Sequence, residues 1–205
     1  MIVRSVKLRN VALLMLGRPG AGKGMLGGMI AKAYDAPHLN VDDELRMRCK
    51  NNPFFKGRDG SADCGRSISD GIVVRHIVEP WLDGHAGRQL VIISDVPRNE
   101  RQAQYLLAAL ERRNYGKVLA LQISLTRQEC ISRMMQRASE NGRGGEKYAA
   151  YSARMDAFDQ EFESVLRVFD AQAIRRCHIS NYGREEVVLE QIKATIASEF
   201  EEIVM

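Results

Sequence analysis

The sequence predicts an α/β protein in which a five-stranded parallel sheet is covered by helices on both faces. Short runs that are apolar at successive positions alternate with longer segments of helical periodicity. A strand without an alternating polar face is buried on both sides, which is typical of a parallel sheet. The length of 205 residues, with 45% hydrophobic and 27% charged residues, favours one domain with a substantial core.

Each predicted strand is a short apolar run bounded by turn-forming or polar residues. The clearest of them contains Leu-Val-Ile-Ile, which leaves no polar face for solvent. In chain order, the five predicted strands are Val11–Leu16, Pro37–Val41, Gln89–Ser94, Val118–Ser124 and Cys177–Ser180.

Helical periodicity fills most of the chain between and after these strands. No proline follows Pro97, so Glu146–Ile174 is predicted to form one long helix. Two glycine-rich stretches, Asn51–Gly71 and Asn141–Gly145, interrupt the pattern and predict loops that leave the sheet. The predicted helices are Gly22–Tyr34, Ile72–Leu82, Arg101–Arg113, Arg127–Ser139, Glu146–Ile174 and Glu185–Ile203.

Composition excludes several functional classes. The net charge of +4 and the absence of a nucleic-acid-binding motif argue against a nucleic-acid partner. No apolar run approaches the roughly 18 residues of a membrane span. The run Val11–Leu16 leads into Gly-Arg-Pro-Gly rather than a cleavage site, so a cytoplasmic protein is expected. The four cysteines form no CxxC pair, which predicts reduced thiols and no zinc site.

The segment that follows the first strand carries the strongest chemical signal. Gly17, Gly22 and Lys23 match the G-x-x-x-x-G-K core of a phosphate-binding loop, with a strand before it and a helix after it. Glycines allow backbone N–H groups to surround an anion, and the lysine reaches the outer phosphates. The pattern expects Ser or Thr after the lysine, whereas Gly24 and Met25 follow here.

The loop sequence Gly-Arg-Pro-Gly-Ala-Gly-Lys-Gly resembles that of adenylate kinases and related nucleoside monophosphate kinases, which read G-x-P-G-x-G-K-G-T. Gly24 is normal in that family, and Met25 is a departure from its threonine. The resemblance implies the P-loop kinase fold, with 1–205 as a single domain. It also implies an acceptor-binding excursion at 42–82 and a short lid at 138–146 without a zinc-bearing insertion.

Further segments follow the same family pattern. The stretch His38–Arg46 resembles the one ending in Asp-x-Leu-Arg, and Gly65–Gly71 resembles the segment that opens the helix over the acceptor. The stretch Ile92–Ala103 is similar to D-G-F-P-R-x-x-x-Q-A. Later in the chain, Arg133 and Arg137 stand four residues apart, as do the family's donor-side arginines. Arg143 and Arg154 have the eleven-residue spacing of its lid-side pair.

The resemblance also implies a role for each matching residue. Arg46 and Arg98 would hold the acceptor phosphate, and Gln102 would bind the acceptor base, where glutamine favours adenine. The implied catalytic residues are Lys23, Arg98, Arg133, Arg143 and Arg154. The implied ATP-binding residues are Gly17, Pro19, Gly20, Ala21, Gly22, Lys23, Gly24, Met25, Arg133 and Arg137. The implied acceptor-binding residues are Val41, Asp43, Arg46, Asp95, Arg98, Gln102, Arg143 and Arg154.

Several positions depart from the family pattern. Val41 and Asp42 stand where the family has Thr-Gly, and Ser94-Asp95-Val96 stand where it has Asp-Gly-Phe. No side chain is thereby assigned to the metal with certainty, and Asp95 is the one candidate ligand. Near the lid, the sequence has Gly-Gly-Glu in place of x-Asp-Asp.

The resemblance implies a monomeric phosphotransferase that moves the γ-phosphoryl group of Mg-ATP to AMP and yields two ADP. Mg²⁺ would accompany ATP, and the partners would be small-molecule nucleotides. Phosphoryl transfer depends mainly on positioning and charge neutralisation, and seven matching cations suit that task. Two alternatives stay open: a UMP/CMP-type monophosphate kinase and a catalytically inactive nucleotide-binding regulatory module.

Overall fold

A computed structural model describes residues 10–51, 70–140 and 148–201 of the chain. Its centre is a five-stranded, all-parallel sheet, as the sequence predicts, and the strand order is β2-β3-β1-β4-β5. The strands are β1 (Val11–Leu16), β2 (His38–Asn40), β3 (Leu90–Ser94), β4 (Lys117–Ser124) and β5 (Arg175–Ser180).

Helices follow the strands in the alternation expected for a parallel sheet. A π-helical segment, Val74–Val78, lies between α3 and α4. The helices are α1 (Lys23–Tyr34), α2 (Val41–Asn51), α3 (Asp70–Val73), α4 (Glu79–Gly84), α5 (Glu100–Glu111), α6 (Arg127–Glu140), α7 (Tyr148–Ala171) and α8 (Glu185–Glu201).

Two hydrophobic cores lie on opposite faces of the sheet. Along β1, alternate residues enter alternate cores: Leu14 packs with residues of α3 to α5, and Leu13 packs with residues of α1, α6 and α8. All six residues of β1 are buried. The uninterrupted apolar run of this strand is therefore explained by burial on both faces.

The position of β1 in the sheet determines where a ligand can bind. It lies between β3 and β4, so the chain passes to one side of β1 in the first half of the sequence and to the other side afterwards. In open α/β sheets, a crevice forms at this point beyond the carboxyl ends of the strands. The phosphate loop, Gly17–Lys23, leaves β1 at that edge.

Some expected boundaries are wrong. Val41 was expected at the end of a strand, but it begins α2, because the Asn40 side chain accepts a hydrogen bond from the Asp43 N–H (3.1 Å) and caps the helix. The long helix α7 ends at Ala171 rather than Ile174, since Ala173 has a left-handed backbone conformation (φ 52°). The expectation of reduced thiols is wrong for Cys49, which is disulfide-bonded.

Other expectations concern residues beyond those described. Of the expected acceptor excursion 42–82, residues 52–69 lie outside the described residues, and so do 141–146 of the expected lid, with Arg143. Within residues 10–51, 70–140 and 148–201, no helix is both long and apolar enough to cross a bilayer.

Candidate functional site

The phosphate loop is shaped by glycines that no other residue could replace without displacing neighbouring backbone. Gly17 has φ +137°, and a Cβ atom there would lie 2.4 Å from the carbonyl oxygen of Ile123. Gly20 has φ +83°, and its Cβ atom would lie 2.4 Å from the carbonyl oxygen of Cys130. Both positions combine a left-handed backbone with contact from β4 or α6. The loop is therefore held closely against the protein body.

Lys23 stands at the mouth of the loop, on the first turn of α1. Its Nζ atom donates to the carbonyl oxygen of Arg18 at 2.9 Å and pairs with the Asp95 carboxylate at 3.1 Å. The side chain is only 8% exposed. A buried cation beside the N-terminus of α1 makes this end of the crevice attractive to phosphate groups.

Asn181 supports the loop from the opposite side of β1. It follows β5 directly, its side chain is buried, and its Nδ2 donates to the carbonyl oxygen of Ala21 at 2.7 Å. The Asn181 carbonyl oxygen accepts from the Arg133 guanidinium at 3.5 Å. Asn181 thus joins the loop to α6, and sequence reasoning missed it. Its place directly after a strand at the ligand edge was the available signal.

Positive charge gathers where α6 meets the loop. Burial raises the pKa of the Cys130 thiol, while the positive charges of Lys23, Arg18 and Arg133 lower it. These three cations therefore lie around the start of α6, beside the loop. Arg133 also pairs with Glu129 at 3.3 Å, one helical turn earlier.

An ion-pair network ties α7 to the loop. The Arg18 guanidinium makes two hydrogen bonds to the Asp159 carboxylate, at 2.9 Å and 3.1 Å. Arg127 pairs with Asp156 at 2.8 Å and lies 3.7 Å from Asp159. A bidentate arginine–carboxylate pair fixes orientation as well as distance. Arg18 and Asp159 are further residues that the sequence analysis missed, since the pair spans 141 residues.

The opposite side of the crevice is here called the acceptor segment, which consists of α2 and residues 95–102. Arg98 connects the two parts. Its Nε donates to the Asp95 carbonyl oxygen at 3.1 Å, and its guanidinium pairs with Asp42 on α2. On α2, Arg46 pairs with Asp43 at 2.7 Å. The structure thus brings both Arg98 and Lys23 into contact with one residue, Asp95.

Gln102 and Val41, both expected to bind the acceptor, have buried side chains. The Gln102 side chain is buried, and its Oε1 accepts from the Arg98 backbone N–H at 2.9 Å. Its own N–H is capped by Asn99 at 3.0 Å, where α5 begins. Val41 is part of the hydrophobic core. Gln102 therefore helps to shape the backbone at Arg98.

His38 on β2 and Ser94 at the end of β3 form a polar pair. His38 Nε2 lies 2.9 Å from Ser94 Oγ, across the β2–β3 pair. Burial lowers the pKa of His38, although Asp95 and Asp43 favour its charged form. Ser94 is fully buried, so its hydroxyl serves the fold rather than the crevice.

The remaining predicted site residues lie on α1, α6 and α7. Met25 is 36% exposed on α1. The Arg154 guanidinium lies 5.6 Å from the centre of the Tyr151 ring on α7, and Arg137 follows Arg133 by one turn of α6. Among the residues that the structure describes, no group of three or more His, Cys, Asp or Glu side chains could hold a metal ion.

Comparison with known proteins finds a matching family and several similar adenylate kinases. A family model described as "AAA domain" matches residues 16–150, which include the loop, α2, Arg98 and α6. An adenylate kinase of Bacteroides fragilis is 25% identical over 181 residues, which are 88% of this chain and 95% of that protein. An adenylate kinase of Kocuria rhizophila is 26% identical over 186 residues (90% and 97%). One of Synechococcus sp. strain RCC307 is 28% identical over 186 residues (90% and 98%).

Proposed function

The chain belongs to the AAA domain family and is a divergent relative of the adenylate kinases, and from that premise we propose that it is a nucleoside monophosphate kinase. The proposed reaction moves the γ-phosphoryl group of Mg-ATP to AMP and yields two ADP. One observation carries the proposal: Lys23 contacts the Asp95 carboxylate and Arg98 contacts the Asp95 carbonyl oxygen, directly after the carboxyl end of β3.

The donor side supports ATP binding. Backbone N–H groups of the loop and the N-terminus of α1 would bind the β- and γ-phosphates, and Lys23 would exchange Asp95 for a phosphate oxygen. Gly17, Pro19, Gly20, Ala21, Gly22 and Gly24 would form the loop contacts, with Met25 beside them. Arg133 and Arg137 would approach the same phosphates from α6.

The arginines of the acceptor side support the proposal that a nucleoside monophosphate binds there. Arg98 and Arg46 would hold the acceptor phosphate, and Arg143 and Arg154 would neutralise charge during transfer. An oxygen of the acceptor phosphate forms the new bond to the γ-phosphorus as the bond to the β-phosphate bridging oxygen breaks, so both products are diphosphates. No side chain needs to act as a special base, because positioning and charge neutralisation carry most of the catalysis.

A Mg²⁺ ion fits the chemistry of this edge. Mg²⁺ keeps several waters and is commonly bound by one or two carboxylates together with substrate phosphates. Asp95 supplies a carboxylate 3.1 Å from Lys23, whereas Gly24 and Met25 supply no side-chain oxygen. Asp95 would therefore hold the ion, directly or through water. A Mg²⁺ ion held there would supply positive charge against the negative charge of the phosphates during transfer.

The contacts of Gln102 favour a second class of acceptor. Its Oε1 is already engaged by the Arg98 N–H, so one of the groups that would read adenine is in use. A pyrimidine monophosphate, CMP or UMP, is therefore the runner-up acceptor.

A coupled phosphotransfer assay tests the proposal. Mg-ATP is offered with AMP, CMP, UMP and GMP in turn, and diphosphate formation is followed. We expect the highest kcat/KM with AMP. Preference for CMP or UMP would keep the reaction and change the acceptor. Tight ATP binding without transfer to any of the four would instead indicate a nucleotide-binding module without activity.

A further inference from the structure

Arg98, the guanidinium proposed to hold the acceptor phosphate, already has an acidic partner. Asp42, on the first turn of α2, pairs with it across 56 residues of sequence. Both side chains are about one-third exposed, at 32% for Arg98 and 34% for Asp42. The pair is therefore partly accessible to an incoming ligand.

Asp42 is the acidic group that departs from the family pattern. Asp43 matches a family position and pairs with Arg46 on the same helix, at 2.7 Å. Asp42 stands where the resembling kinases have glycine, which offers no side chain to the arginine. This chain thus has a carboxylate at the Arg98 guanidinium where the family pattern has no side chain.

A carboxylate and a phosphate ester use an arginine in the same way. Each offers oxygens to the planar N–H fork, and each is attracted by the same charge. A phosphate that binds Arg98 must therefore displace Asp42 or accept its negative charge nearby. Like charges at such distances repel, and the repulsion is greater where water is partly excluded.

We propose that Asp42 is a specificity-determining residue that competes with the acceptor phosphate for Arg98. The proposal rests on the proposed function, since it takes Arg98 as the acceptor-phosphate site. With the Asp42 carboxylate, this chain binds a phosphorylated acceptor more weakly than the same chain without it. The nucleoside part of the acceptor is unaffected, because it carries no phosphate.

The Asp42→Asn variant tests this inference. Asparagine keeps the size of the side chain and removes its charge. We expect the dissociation constant for AMP, measured by calorimetry, to fall by about fivefold to tenfold, a change of about 1.0–1.4 kcal/mol. The dissociation constant for adenosine should not change. Asp42→Ser provides a second variant if Asp42→Asn folds poorly, as judged by circular dichroism and thermal unfolding.

A matched control is available on α4. Asp83 also pairs with an arginine, Arg113, at 2.7 Å, but it lies on the surface away from the crevice. Asp83→Asn makes the same change in net charge and should leave both dissociation constants as they are. In the Arg98→Gln background, Asp42→Asn should give no gain for AMP, because the contested guanidinium is absent.

The binding readout separates this inference from the proposed function. Failure of the wild-type chain to transfer phosphate would contradict the proposed function and leave the binding comparison valid. An unchanged or weaker affinity for AMP in Asp42→Asn would overturn the role of Asp42. So would a gain that persists without Arg98, an equal gain for adenosine, or the absence of AMP binding in every variant.

Discussion

The phosphate loop and the acceptor segment meet where Lys23 contacts Asp95, but they are built differently. The loop is fixed by backbone: glycines with left-handed conformations, packed carbonyl groups and a capping contact from Asn181 to Ala21. The acceptor segment is fixed by side-chain ion pairs, above all Asp42 with Arg98 and Asp43 with Arg46. A site formed by the backbone tolerates few substitutions. A site formed by side chains can change its ligand through a single substitution.

The positions of the departures follow this difference. Within Gly17–Lys23 the chain keeps every element of the phosphate-loop pattern, and the departures begin at Met25. In the acceptor segment, Asp42 and Asp95 are both acidic where the family pattern has glycine. Donor binding is therefore expected to be conventional, and the distinctive properties of the protein are expected on the acceptor side.

Replacing Lys23 by methionine would have the largest effect. Methionine keeps the length of the side chain and removes the buried charge beside the loop. We expect kcat for phosphoryl transfer to fall by at least about a hundredfold, in line with the loss of one preorganised group at developing charge. Coupled assays measure the effect, and unchanged thermal unfolding would show that the fold survives. Near-wild-type turnover in this variant would remove Lys23 from the mechanism.

Replacing Arg98 by glutamine would have the next largest effect, and it should act on the acceptor alone. Loss of the guanidinium removes charge-assisted hydrogen bonds to the acceptor phosphate, so we expect KM for the monophosphate to rise by about tenfold to a hundredfold. KM for ATP should stay within about twofold of wild type. An equal rise in both constants would contradict the division of the crevice into two sides.

Replacing Asn181 by alanine would weaken the donor side through the fold. The Ala21 carbonyl oxygen would lose its buried partner, which we expect to lower the free energy of unfolding by about 1–3 kcal/mol. Urea denaturation measures the loss. Asn99→Ala, which removes the cap of α5 on the acceptor side, serves as a comparison at about 0.5–2 kcal/mol. ATP affinity should fall only in the Asn181→Ala variant.

The smallest expected effect is a pH dependence from His38. Burial depresses its pKa, so the unfolded chain binds more protons than the folded one just below the ordinary histidine pKa of about 6.5. Stability should therefore be highest above that pH and decrease as the pH falls below it. Urea denaturation between pH 7.5 and pH 5.5 should show a smaller decrease in His38→Gln than in the wild type. An identical decrease in both chains would contradict this assignment.

The sequence was sufficient for the parts of the molecule that depend on local pattern. The apolar runs predicted all five strands, because strands buried on both faces lack an alternating polar face. The start of α2 was missed although its signals are present: Asn40 is a good N-cap, and acidic residues fill the first turn. The extended pattern of Pro37–Val41 ends one residue too late, because these signals already start the helix at Val41.

The contacts that connect distant parts of the chain could not be predicted from the sequence. Asn181 reaches Ala21 across 160 residues, and Arg18 reaches Asp159 across 141. Neither partner has a local pattern that identifies the other. Asp42 could be recognised as a departure from the family pattern, but its pairing with Arg98 depends on how α2 and residues 95–102 pack together.

In the proposed reaction, a phosphoryl group passes directly from ATP to a monophosphate held by the acceptor segment. The most direct measurement follows a radiolabelled γ-phosphate of Mg-ATP in the presence of AMP, for the wild type and for Lys23→Met. We predict that the label appears in the β-position of ADP, and that the variant greatly slows its appearance. Label found only in inorganic phosphate, or transfer that does not depend on Lys23, would contradict the account.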